Sequence, residues 1–319
     1  MNWKLKAVVQ NAISVLPESI SYGAYYRLQR LAGGLRRINP TSRLTAAIDT
    51  WRRLLAAGAD PVGKTFFEIG AGRMVTIPTA YWLMGAEKTI SVDLNPYLKK
   101  ELVHEALRYI AANREHVASL FGELLDEKRF ARVLWFAQEQ RFDLAVFLDA
   151  IGVDYRAPSD AGATGLPDGA IDFHTSYTVM EHIPSDVLSR ILTEGRRLMR
   201  PGGMAVHGID YSDHFSHSDP KITAVNFLRF SPEEWGRYTG NRYMYMNRLR
   251  HADYLRLFNE NQFAVTQVEP VLNTRALVAL ESGELAPHAA FAGQPNRDLA
   301  ITSAWIVACP VSEVSVVAA

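Results

Sequence analysis

The fold of this 319-residue chain is decided by one stretch, Thr65-Phe-Phe-Glu-Ile-Gly-Ala-Gly-Arg-Met74. Its first half is apolar and predicts a buried strand, and its glycines stand directly before a predicted helix over 74–84. Glycine lets the backbone approach a ligand closely, and the N–H groups at the start of a helix favour an electronegative group. The stretch therefore predicts the first βα turn of a ligand-binding parallel sheet.

The chain on both sides of this turn supports an α/β fold. From residue 65 onward, short apolar runs alternate with long amphipathic stretches, which is typical of βαβ units. We predict strands over 65–69, 89–93, 151–155, 170–176, 203–209, 263–269 and 300–308. We predict helices over 3–15, 21–35, 42–57, 74–84, 97–118, 185–199 and 248–260, with 119–150 mostly helical. Two insertions remain, one over about 210–247 and a polar, hairpin-like one over about 270–298.

Composition excludes several classes of protein. The 34 basic and 34 acidic residues give a formal net charge of zero, so the chain has no general field for a polyanion and we predict no nucleic-acid partner. No uncharged stretch reaches the roughly 18 apolar residues of a membrane span. The single cysteine, Cys309, excludes an intramolecular disulfide and a CxxC site, and it favours a cytoplasmic location.

Residues 1–60 differ from the rest of the chain because they carry nine basic and only three acidic side chains. We interpret them as an N-terminal helical extension, with 61–319 as the ligand-binding domain. In this interpretation Leu28 and Leu31 pack on the core while the arginines remain solvated. The alternative is a weak association of these basic residues with an anionic surface.

A second feature sharpens the ligand prediction. The second predicted strand ends about twenty residues after the glycines, at Asp93, from which a carboxylate can accept hydrogen bonds from both hydroxyls of a ribose. Together the turn and Asp93 predict a nucleoside-type ligand, either NAD or S-adenosylmethionine. A dinucleotide site requires Gly or Ala at the third marked position, which is Val75 here, so the pattern favours S-adenosylmethionine.

Five motifs, in order along the chain, resemble those of class I S-adenosylmethionine-dependent methyltransferases. They are Glu68-Ile69-Gly70-Ala71-Gly72 (motif I), Val92-Asp93-Leu94-Asn95 (the acidic end of the second strand), Asp160-Ala161 with 166–173 (the third acidic motif and fourth strand), 178–184 (similar to the VLEHIP of the ubiquinone-biosynthesis-like, type 11 subgroup) and 194–203 (the turn before the fifth strand). Segments 210–215 and 226–230 also resemble bacterial methyltransferases associated with cell-surface polysaccharide genes.

The resemblance implies a doubly wound, mostly parallel, seven-stranded Rossmann-like sheet with an N-terminal helical extension and a cap insertion after the fifth strand. It also implies S-adenosyl-L-methionine as cofactor. The cofactor-binding residues that it implies are Glu68, Gly70, Ala71, Gly72, Asp93, Leu94, Asp160 and Ala161. Among them, Asp93 would hold the ribose and Asp160 the adenine amino group. Met74 stands where the family usually has a third glycine.

Histidines concentrate on the opposite side of the predicted crevice. Five of the nine lie within 174–217, at or after the ends of the fourth and fifth strands. Methyl transfer to oxygen is an in-line displacement that requires removal of the hydroxyl proton, and histidine is the usual base. The candidates are His207, predicted to face the crevice, His214, in a loop that could close over the site, and His182, in the turn after the fourth strand.

Two further patterns lie beyond residue 207. The run His207, Asp210, Asp213, His214, His217, Asp219 has metal-capable residue types, but it has no HxxxH on a helix and no cysteine, so we predict no metal. Residues 226–256 interleave aromatic and arginine side chains, which suits a sugar face with a phosphate or carboxylate. Candidate acceptor-binding residues are Arg229, Trp235, Tyr243 and Arg248. The alternative is that these side chains pack the insertion on the sheet edge.

The leading hypothesis is an S-adenosylmethionine-dependent methyltransferase that O-methylates a small-molecule or glycan-like acceptor with a histidine as general base. A protein that binds an adenosyl ligand without catalysis, as a regulator or interaction partner, is the alternative, kept open by Met74. An NAD-dependent oxidoreductase is the third hypothesis. The sequence does not determine the acceptor or the oligomeric state.

Overall fold

The computed structural model describes residues 2–241 and 243–311. Within these ranges, seven strands form one sheet in the order β3-β2-β1-β4-β5-β7-β6. They are β1 (Thr65–Ile69), β2 (Lys88–Val92), β3 (Val153–Arg156), β4 (Ile171–Tyr177), β5 (Met199–Asp210), β6 (Phe263–Leu272) and β7 (Ile301–Pro310). The first five pair in parallel, and β7 runs antiparallel between β5 and β6. The prediction of a mostly parallel seven-stranded sheet is confirmed.

The described residues also form thirteen α-helices. They are α1 (Trp3–Ser14), α2 (Glu18–Ala32), α3 (Thr41–Ala56), α4 (Thr76–Leu83), α5 (Lys100–Ala112), α6 (Arg114–Phe121), α7 (Glu127–Gln138), α8 (Leu144–Ala150), α9 (Ser185–Leu198), α10 (Pro232–Thr239), α11 (His251–Glu260), α12 (Thr274–Glu281) and α13 (Asn296–Leu299). Among the described residues, no helix combines the length and apolar character that crossing a membrane requires.

Both faces of the sheet are covered by helices. The helices α3 to α8 pack on one face, where Trp51, Tyr81 and Phe136 belong to one buried cluster. On the other face, α9 presents Leu188 and Leu192 in an i, i+4 stripe to the strands. Full burial of such side chains contributes about 1.5 to 3 kcal/mol each. Because both faces are occupied, a ligand reaches the sheet at the carboxyl ends of its parallel strands.

A third cluster lies away from the sheet. Here α1 packs on the insertion that follows β5, and the rings of Trp3, Phe215 and Trp235 contact one another. The backbone N–H of Trp3 donates to Asp219 at 3.0 Å, which fixes the start of α1 on that insertion. The prediction that Leu28 and Leu31 pack on the core is wrong, since these residues are 38% and 76% exposed.

The segment between β6 and β7 is helical, and the prediction of a hairpin-like insertion there is wrong. Asn273 caps α12 by accepting a hydrogen bond from the N–H of Ala276 at 2.9 Å. The buried side chains of Ala276, Ala279 and Leu280 form a short helical stripe that packs in the third cluster. Small alanines carry a weak hydrophobic signal, so the surrounding polar residues concealed this periodicity.

Candidate active site

The turn after β1 adopts a backbone that glycine alone takes without strain. Gly70 and Gly72 have φ angles of +81° and +65°. A Cβ on Gly70 would lie 2.5 Å from a methyl carbon of Val179, whereas a Cβ on Gly72 would meet nothing within 4 Å. Ala71 between them is buried. The glycines predicted from the sequence therefore shape a tight turn at the carboxyl edge of the sheet.

Asp93, directly after β2, holds this turn in place. Its Oδ2 accepts a hydrogen bond from the N–H of Gly72 at 2.9 Å, and its Oδ1 accepts one from the N–H of Asn95 at 3.0 Å. Burial raises the pKa of Asp93, an effect that the two backbone hydrogen bonds oppose. A carboxylate offers about four acceptor positions, so each oxygen retains one for a ligand hydroxyl.

Glu68, near the end of β1, is buried beneath the same turn. Its Oε2 accepts a hydrogen bond from the hydroxyl of Ser91 on the neighbouring strand. Burial raises its pKa to about 7. The carboxyl group therefore exchanges its proton near neutral pH, and a nearby cation would favour the charged form.

Asp160 and Leu94 border the other end of this edge. The N–H of Ser159 donates to the backbone carbonyl of Asp93 at 2.9 Å, which joins the loop after β3 to the end of β2. Asp160 accepts from the N–H of Gly162 at 2.8 Å, and its second oxygen lies 3.4 Å from the Arg190 guanidinium. Ala161 is buried, while Leu94 is 70% exposed. The predicted cofactor residues thus occupy adjoining loops along β1, β2 and β3.

The helix α2, which belongs to the N-terminal extension, covers this edge, a feature that the sequence did not reveal. Three polar contacts join it to the segment after β2: Tyr22–Asn95 (3.2 Å), Tyr26–Glu101 (2.6 Å) and Arg30–Glu105 (2.7 Å). The guanidinium of Arg73 lies 5.2 Å from the ring centroids of both Tyr26 and Tyr97. These contacts place α2 beside the βα turn as a cover.

The structure corrects the interpretation of His207. This side chain is 0% exposed, inside the sheet, with Nδ1 2.7 Å from Ser176 Oγ and Nε2 3.2 Å from His174 Nδ1. Burial lowers its pKa well below the usual value. A ring enclosed by β4, β5 and Phe258 has no surface for an acceptor, so His207 packs the core rather than acting as a base.

His182 and His214, by contrast, lie together after β4 and β5. Their ring centroids are 4.9 Å apart. His214 Nε2 lies 3.3 Å from Asp210 Oδ2, although without hydrogen-bond geometry, and His217 Nε2 lies 3.7 Å from the same oxygen. Asp210 at the end of β5 is therefore the centre of a histidine cluster. The sequence grouped Asp210 with these histidines but gave it no role.

The orientation of His182 is fixed by the loop before α11. One ring edge reaches solvent, and Nδ1 lies 2.8 Å from the carbonyl oxygen of Tyr245. Because a carbonyl only accepts, Nδ1 carries the proton and Nε2 has the free lone pair. Burial and the neighbouring His214 lower the pKa of His182.

Glu181 completes this cluster, and no sequence pattern marks it as a site residue. Its side chain is 2% exposed, and neither carboxylate oxygen has a hydrogen-bond partner. The backbone N–H groups of Glu181 itself and of Asp210 lie near the carboxylate but without hydrogen-bond geometry. Burial raises the pKa of Glu181 well above its usual value. The N–H of Asn247 donates to the Glu181 carbonyl at 2.9 Å and fixes the turn.

A cavity of about 390 Å³ lies next to the cluster, between the ends of β4 and β5 and the start of β7. Asp210 and His217 line it. Its aromatic wall is formed by Tyr177 and Trp305, whose rings stack at a centroid distance of 5.6 Å. Gly208 lies beneath both rings, because a Cβ there would lie 2.8 Å from Tyr177 and 3.0 Å from Trp305. The cavity suits a small molecule with an apolar face and a polar group.

The predicted acceptor-binding residues lie elsewhere and hold the insertion together. Trp235 is buried in the third cluster. Arg229 donates to the carbonyl of Glu284 at 2.8 Å, and Arg248 donates to that of Phe230 at 2.8 Å. Tyr243 stacks on Tyr25 at 4.1 Å. The structure therefore favours the packing alternative for these four residues.

No protein-family model matches the sequence, and no curated protein matches it. Among solved structures, the chain is similar to a protein from Pyrococcus horikoshii, with 14% identity over 90% of this chain and 98% of that one, and a TM-score of 0.47. A geranyl diphosphate methyltransferase solved with SAM has 14% identity over 85% of this chain and 85% of that one, with a TM-score of 0.45. A SAM-dependent methyltransferase from Methanosarcina mazei has 15% identity over 82% of this chain and 98% of that one, with a TM-score of 0.44. Likenesses of this size assign neither activity nor ligand.

Proposed function

We propose that this protein is an S-adenosylmethionine-dependent methyltransferase that methylates an oxygen of a small acceptor. The observation that carries the proposal is the position of Asp93 at the carboxyl edge of β2. Its two oxygens are fixed by the N–H groups of Gly72 and Asn95, and each keeps an acceptor position for one ribose hydroxyl. An adenosyl ligand bound there extends towards the Gly70 turn on one side and Asp160 on the other.

The residues at each end of this edge fit the two ends of the cofactor. Glu68 supplies a carboxylate for the cationic amino and sulfonium groups of the methionine end. The positive charge of Arg43, which acts on both Glu68 and Glu181, is a counter-charge for the methionine carboxylate. At the adenine end, Asp160 accepts from the exocyclic amino group, and exposed Leu94 covers the ring. When bound, S-adenosylmethionine supplies an activated methyl group for in-line displacement by the acceptor oxygen.

The acceptor binds in the cavity beside β4 and β5, where Tyr177 and Trp305 face its apolar side. This wall suits the ring of a sugar or glycan-like molecule, and Asp210 accepts from its hydroxyls. His214, whose Nε2 lies 3.3 Å from the Asp210 carboxylate, takes the hydroxyl proton as the oxygen attacks, and His182 is the neighbouring candidate base.

Calorimetry with S-adenosylhomocysteine, S-adenosylmethionine and NAD tests the cofactor assignment. We expect the adenosyl ligands to bind and Asp93→Asn to weaken them by roughly 2 to 4 kcal/mol, because charged hydrogen bonds are worth about 1.5 to 3 each without being additive. Asp168→Asn is the matched control, since Asp168 is exposed and pairs with Arg197 away from this edge. Binding of NAD alone would overturn the proposal.

Turnover on a panel of sugar, phenol and glycan acceptors tests catalysis itself. Methylation of any hydroxyl acceptor, detected as a mass gain of one methylene together with release of S-adenosylhomocysteine, supports the enzyme. Binding of adenosyl ligands without turnover on any acceptor would instead favour the regulatory protein that binds the ligand without catalysis.

A further inference from the structure

Glu181 is left unexplained by the proposed catalysis. Neither the candidate general base His214 nor its neighbour Asp210 requires Glu181, yet Glu181 is 2% exposed and both of its carboxylate oxygens lack a hydrogen-bond partner. A buried polar group without a hydrogen bond costs about 1 to 3 kcal/mol. Its turn is firmly held, because the Asn247 side chain donates to the carbonyls of Met180 and Ile183 at 2.9 and 2.8 Å. The chain therefore maintains an unsatisfied carboxyl group in a fixed position.

Two imidazoles face the same point. One ligand atom each from Glu181, His182 and His214 lie within 4.8 Å of one another. The hydrogen bond from His182 Nδ1–H to the Tyr245 carbonyl leaves Nε2 as the free nitrogen, an arrangement that commonly orients metal-binding histidines. His214 Nε2 is also buried without a hydrogen-bond partner.

We propose that Glu181, His182 and His214 form a binding site for a divalent transition-metal ion such as Zn²⁺. Two imidazoles and a carboxylate are a donor set that zinc accepts, with further coordination positions left open. Ligand atoms around a tetrahedral zinc ion lie about 3.3 Å apart, so the separations between the three side chains would shorten by at most about 1.5 Å around it. Asp210 Oδ2 lies 3.3 Å from His214 Nε2 and places a further negative charge beside the site.

Sequence motifs do not indicate this metal site because its ligands come from two separate loops. Glu181 and His182 follow β4, and His214 follows β5, so no single motif contains the set. The site adjoins the acceptor cavity, since Asp210 contacts the cluster and also lines the cavity. With the ion bound, an open coordination position would bind an acceptor oxygen and lower its pKa; this would replace the base role of His214, because a coordinated imidazole cannot also accept a proton. That role rests on the proposed function, whereas the binding of the ion does not.

The test is metal binding by the full chain without acceptor or cofactor. Protein stripped with a chelator is titrated with Zn²⁺ in competition with a chromophoric chelator, and with Co²⁺ while the visible spectrum is recorded. We expect one ion per chain. Glu181→Gln, His182→Gln and His214→Gln should each weaken binding by at least about 10-fold, as loss of a ligand does. His116→Gln, exposed on α6, is the matched control and should bind like the wild type.

Circular dichroism of every variant reports on folding, and calorimetry with S-adenosylhomocysteine reports separately on the proposed function. Absence of saturable metal binding, or equal binding by Glu181→Gln and His116→Gln, overturns the metal site while leaving the cofactor assignment intact. Stoichiometric metal binding that depends on Glu181, His182 and His214, in a protein that does not bind S-adenosylmethionine or S-adenosylhomocysteine, supports the metal site and rejects the proposed function.

Discussion

The proposed site has two edges that differ in how their charged groups are satisfied: the proposed cofactor edge, with the Gly70–Gly72 turn, Glu68 and Asp93, and the proposed acceptor edge, with Glu181, His182, Asp210 and His214. At the cofactor edge, each oxygen of Asp93 accepts a backbone hydrogen bond, and Glu68 accepts one from Ser91. At the acceptor edge, both oxygens of Glu181 and the Nε2 of His214 lack such a partner. The first edge is thus organised by the chain itself before any ligand binds, whereas the second has unpartnered polar atoms that a ligand can satisfy.

The edges also differ in how far apart in sequence their contacting residues lie. Gly72 and Asp93, which contact directly, are 21 residues apart within one βαβ unit. The acceptor edge joins residues 181–182 to 210–217 and to the carbonyl of Tyr245, 63 residues from His182. Catalysis and cofactor binding should therefore be separable by mutation.

The largest effect should follow removal of the base. His214→Ala should lower turnover by roughly 10² to 10⁴, because general-base catalysis contributes about that much, while the affinity for S-adenosylhomocysteine stays within about 2-fold. Single-turnover kinetics and calorimetry measure the two quantities. The core histidine variant His207→Gln is the contrast, and it should lose stability rather than the rate per folded molecule. Wild-type turnover by His214→Ala across pH 6 to 9 would move the role to His182 or eliminate a histidine base.

The second effect concerns stability and pH, because the core residue His174 and the buried Glu68 have pKa values shifted in opposite directions. Burial lowers the pKa of His174 on β4 to about 4, so the unfolded state binds more protons between pH 6.5 and 4 and stability falls with acidification. Burial raises the pKa of Glu68 to about 7, so its contribution to stability is present below pH 4.5 and is lost as the pH rises through 7.

Glu68→Gln should remove one side of this balance. Relative to the wild type, its free energy of unfolding should fall by about 3 kcal/mol more between pH 7 and pH 4.5, given about 1.4 kcal/mol for each pKa unit. Urea denaturation at both pH values measures the difference, with exposed Glu123→Gln as control. Parallel pH profiles for wild type and Glu68→Gln would show that Glu68 is ionised in the fold at neutral pH.

The third effect separates two glycines of the same turn. Both have positive φ, so an alanine at either position is strained by about 1 to 2 kcal/mol. Gly70→Ala also overlaps Val179 at 2.5 Å, which adds about 1 to 3 kcal/mol, whereas Gly72→Ala enters open space. Denaturation should thus rank Gly70→Ala as the less stable variant. Adding Val179→Ala should bring it to the level of Gly72→Ala, and failure of that rescue would contradict the overlap.

The contrast between the edges explains what the sequence could predict. The glycine turn and Asp93 were predictable because their signals are local, lying in one strand, one turn and the next strand. His207 was misplaced because alternation along β5 does not tell the covered face of the sheet from the edge that ligands reach. Glu181 was missed because a single glutamate in a turn is ordinary, and only the fold brings His214 and Asp210 to it.

The smallest effect concerns α2, which covers the cofactor edge through contacts at the protein surface. Arg30 and Glu105 pair at 2.7 Å, but both side chains are partly exposed, so their pair contributes at most about 1 kcal/mol. Arg30→Met should change the free energy of unfolding by less than that and speed dissociation of S-adenosylhomocysteine by up to about 5-fold, since 1.4 kcal/mol corresponds to a factor of ten. Stopped-flow measurements detect the rate, and exposed Arg27→Met on the same helix is the control.

Glu105→Gln should reproduce the Arg30→Met rate, and the double variant should add little, because both changes break the same contact. Equal dissociation rates for Arg30→Met and Arg27→Met would show that α2 does not restrain the bound ligand. In that case the Tyr22–Asn95 contact and the rings of Tyr26 and Tyr97 around Arg73 would be ordinary packing of the N-terminal helix. A faster release confined to the paired residues would instead place α2 in the cofactor edge as a cover that opens when the product leaves.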